Sequence, residues 1–365
     1  MYNRSLFPAE LPMVSIVVPV RNSEGSIRRL TESLLRQDYV NMGGALEIIY
    51  IGSIGDTTWA PIRDVIADGR VVAIEADIVA DGRDANPKRN IGLRRARGQI
   101  LALTDSDMEM PDDWVSGGVL RLLQSGHKVV AGPMVSLGSG FWSDYVDHNE
   151  IGSKTPRMAK PYVITKETLG KPGYKLPITA NVFLCREVFG RVGDLDPQFT
   201  QTYDDYVWFR DIVVTGYSIL CDPGLAAYHR HREGFKSLMR EYWSAGCGCM
   251  DYIARHKADA FSRARSRQLA TLLYGSIAAV TLLALMPVLT VAMGVAGYVL
   301  LAAISILKSE KRSAWVFPAV TFVLGCCFIY GIIYRFFRQS WRGVVLTEIR
   351  YHSLLYIHEP QEASS

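Results

Sequence analysis

Two carboxylates separated by one residue, Asp105 and Asp107, directly follow an apolar run at 101–104. The run predicts a buried strand, and acidic side chains at the carboxyl end of a strand can bind a single divalent cation. Oxygen ligands suit Mg2+ or Mn2+, and such a cation neutralises a diphosphate. The same pattern is also typical of a turn whose aspartate caps the next helix, so it does not identify a site by itself.

Basic side chains elsewhere in the chain have the chemistry to bind phosphate. Arg89 precedes the same strand, and a guanidinium forms paired, charged hydrogen bonds with phosphate oxygens. A solvated helix charge is the alternative for this arginine. His229 and His231 alternate with arginines beside an apolar segment, which favours an anion site over isolated surface histidines.

These residues are interleaved with a regular series of strands and helices. Apolar runs predict strands at 13–19, 46–51, 70–75 and 99–104, and helical spacing predicts helices at 26–36, 59–67 and 87–96. Repeating strand–helix units imply an α/β domain with a mostly parallel sheet and right-handed crossovers. Because such sheets bind ligands beyond the carboxyl ends of their strands, we expect the chemistry at that edge.

Composition excludes a disordered chain and gives no support to nucleic-acid binding. Of 365 residues, 49% are hydrophobic and 21% are charged, which is enough apolar surface for a large core. The net charge of +4 is a mild excess that predicts no nucleic-acid partner. The 6 cysteines form no CxxC pair and have no histidines at zinc spacing, which indicates a reducing compartment and no disulfide.

Two long uncharged tracts predict a membrane protein. Residues 268–307 and 313–334 contain no Asp, Glu, Lys or Arg, and one bilayer span needs about 20 apolar residues. The first tract fits two helices with a hairpin near Pro287 and Thr290, and the second fits one helix. The N-terminal 25 residues contain no apolar run of signal-peptide length, so the first 260 residues are expected in the cytoplasm.

Basic residues flank these tracts, but they leave the number of complete spans open. Five basic residues precede the first span and three separate the second from the third, as the positive-inside rule requires. Three complete spans place the tail outside. The arginines that follow the third tract instead favour an inside tail and a re-entrant or interfacial third segment: Arg335, Arg338 and Arg342.

Four further segments accompany the acidic pair in the order and spacing of one family. They are VSIVVPVRN at 14–22, SLLRQ at 33–37, EII at 47–49 and KRNIG at 88–92. Together with Asp105 and Asp107 they resemble family 2 glycosyltransferases, whose nucleotide-sugar-binding domain has the Rossmann-like GT-A fold. The resemblance covers roughly residues 13–249.

The resemblance implies a donor site at the strand ends. Five positions match the segments that the family places against the nucleotide and its phosphates: Pro19, Asn22, Arg89, Asp105 and Asp107. A divalent cation, Mn2+ or Mg2+, is implied on Asp107 and on His229, because similar family members carry a histidine there.

The resemblance also implies a catalytic base. Asp204 and Asp205 match the family's acidic pair, and a following glycine and proline set the register that makes Asp205 the equivalent of the catalytic aspartate. A single base that removes the hydroxyl proton implies direct displacement with inversion, unlike the two carboxyl groups of glycosidases. A charged helix start stabilised by the helix dipole is the alternative. Two residues are expected to contact the acceptor: Asn181 and Trp208.

Three departures from the family pattern affect specificity. Gly52 and Ser53 stand where acidic, nucleoside-binding residues are expected, and Asp56 either substitutes for them or caps the following helix. Arg210 lies one position earlier than the family's usual arginine. The segment REYW at 240–243 lacks the complete glutamine-containing motif of processive polymerases, which favours the addition of a single sugar.

An amphipathic stretch links the soluble part to the apolar tracts. Residues 235–253 place apolar side chains on one helical face, which predicts either a membrane-interface helix or a helix packed on the catalytic sheet. The expected organisation is a cytoplasmic GT-A domain at 1–232, an interfacial helical linker at 233–267, two or three transmembrane helices at 268–334 and a tail at 335–365.

The resulting expectation is a glycosyltransferase anchored in the plasma or cell inner membrane. It would move one sugar from a nucleotide-sugar donor to a hydroxyl of a lipid-linked saccharide, in surface polysaccharide or glycolipid assembly. A second interpretation makes polyprenyl phosphate the acceptor, for which Asp205 has no proton to remove. A third is a non-catalytic membrane protein that retains the fold.

Overall fold

The computed structural model describes residues 2–78, 84–138, 140–148, 160–199, 202–229, 234–309, 311–342 and 351–358. The chain forms two compact units. The first comprises Met1–Leu137, Ser153–Arg230 and Leu346–Ser365, and the second comprises Gly138–Gly152 and His231–Val345.

The described elements follow one another as alternating strands and helices, and the last third is helical. The strands are β1 (Val14–Pro19), β2 (Leu46–Ser53), β3 (Val71–Ile78), β4 (Ile100–Thr104), β5 (Met108–Glu109), β6 (Val129–Ala131), β7 (Met134–Ser136), β8 (Tyr162–Ile164), β9 (Asn181–Cys185), β10 (Ile219–Cys221), β11 (Ala227–His229) and β12 (Tyr351–His358). The α-helices are α1 (Ile27–Leu35), α2 (Asp38–Asn41), α3 (Arg63–Ile66), α4 (Ala85–Arg95), α5 (Trp114–Ser125), α6 (Phe141–His148), α7 (Arg186–Val192), α8 (Asp204–Thr215), α9 (Phe235–Arg255), α10 (Ala260–Leu285), α11 (Pro287–Ser309) and α12 (Phe317–Arg342). Short 3-10 helices lie at Arg4–Leu6, Thr57–Ile62 and Arg312–Val316.

The main sheet of the first unit has the strand order β12-β3-β2-β1-β4-β9-β6-β10-β8. Its centre, β3-β2-β1-β4, is parallel, and Val14 lies opposite both Leu46 and Ile100. β9 pairs antiparallel with β4 and β6. The central strands therefore end at one common edge, and the predicted α/β architecture is confirmed.

Continuous apolar sequence explains why these strands are central. Every residue of β1 and β4 is buried, which is typical of parallel strands covered by helices on both faces. Glu47 on β2 is the only charged residue of β1, β2 and β4, and it is 3% exposed. Its carboxylate accepts hydrogen bonds from the Ser15 hydroxyl and from Arg97, whose backbone N and Nε lie 2.5 and 3.0 Å away. This carboxylate holds the amino ends of the strands together.

One predicted helix is shorter than its sequence pattern indicates. The stretch expected as a helix at 59–67 is a 3-10 helix, Thr57–Ile62, followed by the single turn of α3. Pro61 lies inside the 3-10 segment and has no N–H with which to continue an α-helical ladder.

The C-terminal strand completes the main sheet. β12 pairs antiparallel with β3, with Leu354 opposite Ala76 and Tyr356 opposite Ile74. An uncovered edge strand presents unpaired backbone groups, and β12 pairs those of β3. Of the expected tail at 335–365, the part Leu346–Ser365 thus belongs to the first unit.

The second unit contains the apolar helices. Three helical stretches are long and apolar enough to cross a membrane: Ala260–Leu285, Pro287–Ser309 and Ser313–Arg338. The predicted break near Pro287 is confirmed, since α10 ends at Leu285 and α11 begins at Pro287. Proline fits the first position of a helix because the N–H it lacks has no partner there.

Candidate active site

The carboxyl ends of β1 and β4 bring two loops of the predicted donor site together. Pro19 ends β1, and Asn22 follows in the left-handed region with a φ of 48°, which asparagine adopts more readily than most residues. The next residue, Ser23, shares a 2.7 Å hydrogen bond with the hydroxyl of Ser106, the residue between the two acidic side chains that follow β4. The β1 loop and the acidic loop are thereby joined.

A small second sheet brings His229 to the acidic loop. Its strand order is β5-β11-β7, and His229 on β11 lies opposite Met108 on β5, directly after Asp107. The Nε2 of His229 is 3.2 Å from Oδ2 of Asp107. The imidazole is 7% exposed and the carboxylate 38% exposed, so the pair opens to solvent on the carboxylate side.

The chemistry of this pair fits a divalent cation of the Mn2+ type. A carboxylate oxygen and an imidazole nitrogen are both acceptable ligands for such an ion. Among the described residues, no three His, Cys, Asp or Glu side chains form a group that holds a metal. Asp107 and His229 could therefore offer such an ion two protein ligands.

A buried arginine connects three carboxylates behind the acidic loop. Arg89 on α4 is 5% exposed, and its Nη2 donates to Oδ1 of Asp105 at 2.7 Å. Its Nη1 lies 3.4 Å from Asp204 and 4.0 Å from Asp205. Burial alone lowers the pKa of the guanidinium, but Asp105, Asp205 and Asp204 outweigh burial and raise it. Arg89 is therefore a permanent cation that holds the two acidic motifs together.

One N–H group of Arg89 donates no hydrogen bond to the described part of the protein. Within the part of the chain that the structure describes, the Nε of Arg89 is buried and has no hydrogen-bond partner. Buried polar groups in native proteins nearly always have a partner, which a bound ligand can supply. The arrangement leaves Arg89 able to interact with an additional acceptor.

The acidic pair opens α8 after a strained residue. Tyr203 precedes Asp204 with a φ of 69°, an unusual conformation for a bulky side chain. Such a conformation costs on the order of 1–3 kcal/mol and concentrates at functional sites. It places Asp204 and Asp205 in the first turn, where the helix dipole favours negative charge.

Asp205 has the electrostatics of a general base. The Thr179 hydroxyl donates to its Oδ1 at 2.8 Å, and its side chain is 24% exposed. Burial and then the adjacent Asp204 carboxylate raise the pKa of Asp205 to about 7, against the lowering effects of Arg89 and of the Thr179 hydrogen bond. A carboxyl group with a pKa near the working pH is suited to accept a proton.

A second polar cluster lies beside the β1 loop. Asp56 caps the 3-10 helix that follows β2, and its Oδ1 also accepts from the backbone N–H of Asn22 at 2.9 Å. Lys88 is 1% exposed, donates to the Val20 carbonyl at 2.7 Å and lies 2.9 Å from Asp84. Burial lowers the pKa of Lys88, and the nearby carboxylates partly oppose that shift.

The neighbours of Gly52 and Ser53 explain why neither position carries an acidic side chain. A Cβ on Gly52 would lie 2.5 Å from the Trp59 ring, so the indole occupies the space that a side chain at position 52 needs. Ser53 donates to Asp84 at 3.3 Å. Carboxylates at positions 56 and 84 therefore stand near the end of β2, where the family pattern has acidic residues in the strand itself.

The two predicted acceptor residues lie in the core. Asn181 is fully buried: its Nδ2 donates to the carbonyls of Pro133 and Leu225 at 3.1 and 2.7 Å, and its Oδ1 accepts from Trp114 at 2.8 Å. Trp208 is 2% exposed, packs in the core and donates to a backbone carbonyl at 3.1 Å. Their hydrogen bonds are thus made inside the core, although Asn181 lies opposite Thr104, next to Asp105, and Trp208 lies on the same helix as Asp205.

Sequence reasoning missed Thr179 and Asp84. No local pattern distinguishes this threonine, because its contact with Asp205 joins residues 26 positions apart. Asp84 could have been found from its spacing to Lys88, since residues four apart on a helix face each other.

Comparison with known proteins shows which proteins this chain resembles. Residues 15–193 match the model of Glycosyl transferase family 2. The chain is 23% identical over 241 residues to Glycosyltransferase AglE of Haloferax volcanii, covering 65% of this chain and 73% of that protein. It is 25% identical over 236 residues to Succinoglycan biosynthesis protein ExoO of Rhizobium meliloti, covering 62% of each. Across three curated relatives, the match spans 25%, 73% and 62% of their lengths.

Among solved structures, the mannosyltransferase PcManGT from Pyrobaculum calidifontis, determined in complex with GDP-Man and Mn2+, has the same fold. The two superpose with a TM-score of 0.61 at 17% identity, covering 91% of this chain and 89% of that one. The family resemblance indicated by the sequence motifs is confirmed: the chain carries a family 2 glycosyltransferase domain with a GT-A-like sheet, followed by helices apolar enough to cross a membrane.

Proposed function

We propose that this protein transfers one sugar from a nucleotide-sugar donor to a hydroxyl of a lipid-linked saccharide, with inversion at the anomeric carbon. The observation that carries the proposal is the position of Asp205. It combines a pKa of about 7 with a hydrogen bond from Thr179 and a buried arginine that links it to the acidic loop. That is the arrangement of a base poised beside a phosphate-binding site.

The donor side of the reaction is assigned to the acidic loop and its neighbours. Asp107 and His229 would hold a divalent cation, which when bound neutralises charge on the leaving diphosphate. Arg89 keeps Asp105 in place and offers its unpaired Nε to a phosphate oxygen. Asn22 and the nearby Asp56 would line the nucleoside side, on the adjoining β1 loop.

The acceptor side is assigned to Asp205. The acceptor hydroxyl oxygen attacks C1 of the sugar, the bond from C1 to the diphosphate oxygen breaks, and the hydroxyl proton passes to the Asp205 carboxylate. The diphosphate leaves with the bonding electron pair. A single displacement of this kind inverts the configuration at C1, and Thr179 orients the carboxylate that receives the proton.

The apolar helices and the relatives support a lipid-linked acceptor. Three helical stretches long enough to span a bilayer follow the catalytic unit, which supports an acceptor presented at a membrane. One relative is described as a glycosyltransferase and another as a succinoglycan biosynthesis protein, which supports a role in polysaccharide assembly. The REYW segment supports single-sugar addition.

The decisive experiment compares Asp205→Asn with wild type on two acceptors. Loss of transfer to a hydroxyl acceptor, with nucleotide-sugar binding intact, supports the base assignment. Full turnover of that variant on a hydroxyl acceptor refutes it. Retained transfer to polyprenyl phosphate, which is already ionised, identifies the phosphate as the acceptor instead. Asp64→Asn is the matched control, because its carboxylate lies on the surface in an ion pair with Arg28.

A ligand screen tests the donor and the cation. Thermal unfolding is followed with UDP- and GDP-sugars, with and without Mn2+, because a bound ligand stabilises the folded state by mass action. Stabilisation by one nucleotide sugar only when Mn2+ is present identifies the donor and supports the metal assignment. Binding without any metal-dependent hydrolysis of the donor favours a non-catalytic protein.

A further inference from the structure

The third apolar helix is packed differently from the other two. Its most apolar stretch is 28% buried inside the protein, against 11% for α11 and 0% for α10. By length it could cross a bilayer, since 26 residues at about 1.5 Å each exceed a hydrocarbon core of about 30 Å. Length and composition therefore do not distinguish α12 from the spanning helices, but its packing does.

α12 lies in close backbone contact with α9. A Cβ on Gly331 would lie 2.2 Å from the carbonyl oxygen of Trp243, and a Cβ on Gly246 would lie 2.0 Å from that of Phe328. The thiol of Cys247 donates to the Gly331 carbonyl at 3.4 Å. Glycines on both helices thus allow an approach that larger residues would prevent.

The contact extends along most of α12. At one end, Phe317 packs in a cluster with Leu238 and Tyr242 of α9. At the other end, Nε of Arg335 lies 2.7 Å from Oδ1 of Asp251, which is 2% exposed on its side chain. From 317 to 335 α12 rises about 27 Å, and from 238 to 251 α9 rises about 20 Å, so the two helices run side by side over about two thirds of a bilayer core of about 30 Å.

α9 is too charged to accompany α12 across a membrane. It is not among the helices apolar enough to span a membrane. Five of its 21 residues are charged: Lys236, Arg240, Glu241, Asp251 and Arg255. Charged side chains at the centre of a bilayer are costly and rare. If α12 crossed the bilayer, this part of α9 would have to enter it as well.

Both ends of α12 are flanked by positively charged residues, which indicates that they lie on the same side of the membrane. Lys308 and Lys311 precede it and Arg335 and Arg338 lie in its last turns, and positive charge accumulates on the cytoplasmic side. Downstream, β12 returns to the sheet of the catalytic unit by pairing with β3. The first unit thus contains chain segments from both before and after the apolar helices. Because one folded unit lies on one side of the membrane, the chain between these segments must cross the bilayer an even number of times.

We propose that only α10 and α11 cross the bilayer, as a hairpin, and that α12 lies against α9 in the membrane interface without crossing. The face of α12 turned away from α9 contacts the boundary between headgroups and acyl chains. Its flanking lysines and arginines match the anionic headgroups. The large side chains exposed on it are aromatic or aliphatic and include Phe322, Tyr330, Ile333, Phe336 and Phe337. This surface does not depend on which sugar or acceptor the enzyme uses.

Cysteine accessibility in the full chain tests the topology. Ala258→Cys, Met286→Cys, Ser309→Cys and Ser365→Cys are each treated with a membrane-impermeant maleimide on right-side-out and inside-out vesicles, with wild type as the blank for its six native cysteines. We expect position 286 to label only from the outer side and the other three only from the inner side. Outer-side labelling at 365 means that α12 crosses, and outer-side labelling at 258 means that α9 crosses; either result overturns the proposal.

Immersion depth provides a second measurement that does not rely on labelling from one side. Spin labels at Phe322→Cys and Phe336→Cys lie about one and a half turns from either end of α12, and Val280→Cys on α10 is the matched control. We expect both α12 labels at the same shallow depth and the α10 label deep in the acyl region. A steep change in depth along α12 overturns the proposal even if the chain termini are on the expected sides.

Discussion

Replacement of Asp205 by asparagine should make the protein more stable while abolishing hydroxyl transfer. Asparagine has nearly the same shape and can keep the hydrogen bond from Thr179, whose hydroxyl lies 2.8 Å from the carboxylate in the wild type. What it removes is a partly buried negative charge next to Asp204. Active sites often hold such unfavourable charges, because catalysis needs them and folding does not.

The size of the effect follows from the pKa of Asp205. Burial and Asp204 raise it from 3.8 to about 7, and at about 1.36 kcal/mol per unit this corresponds to about 4 kcal/mol as an upper value. Below pH 4 the carboxyl is protonated in both states, so it costs nothing. Between pH 4 and 7 the unfolded chain loses the proton and the folded protein keeps it, so wild-type stability falls as pH rises. Above pH 7 the loss is complete.

The assay is thermal unfolding of the purified full chain at one scan rate, from pH 4.5 to 8.5. The midpoint of Asp205→Asn should exceed that of wild type by up to about 10 °C at pH 8, and the difference should shrink steadily towards pH 4.5. Asp64→Asn, which removes an exposed carboxylate, should follow the wild-type pH profile. An Asp205→Asn difference that is independent of pH, or that grows as the pH falls, would refute the electrostatic reasoning.

Three further outcomes are expected. Thr179→Val should move the acid limb of the activity profile to higher pH and lower kcat by about tenfold, because the threonine hydrogen bond lowers the pKa of Asp205; a pH–rate profile measures this. His229→Ala should weaken Mn2+ activation at least tenfold while nucleotide binding without metal is retained, as metal titrations of activity and binding will measure. Gly331→Ala should lower the unfolding midpoint, because its Cβ would lie 2.2 Å from a backbone carbonyl of α9, whereas Gly325→Ala on the same helix has open space and should be neutral or stabilising.

Each of these outcomes has a result that contradicts it. An unchanged acid limb in Thr179→Val would show that the threonine does not tune the base. Unaltered Mn2+ activation in His229→Ala would exclude the imidazole as a ligand. Equal midpoints for Gly331→Ala and Gly325→Ala would show that α9 and α12 are not in close contact.

Much of the fold follows from local sequence. Runs such as 14–19 and 100–104 are apolar without interruption, and the polar or proline-containing segments after them mark the strand ends. These patterns correctly predict that the acidic pair follows the carboxyl end of β4. The uncharged tracts identified the apolar helices and their break at Pro287 for the same reason, because a residue's neighbours in sequence are enough to decide these features.

Only the tertiary structure decided which side chains meet. Arg89 binds carboxylates that are 16 and 115 positions away along the chain. Asn181 is buried and accepts a hydrogen bond from the Trp114 indole. Such contacts depend on strand pairing and helix packing between distant segments, which no local periodicity encodes. The membrane tract at 313–334 makes the same point: its composition is that of a spanning helix, and only its packing against α9 argues for a position in the interface.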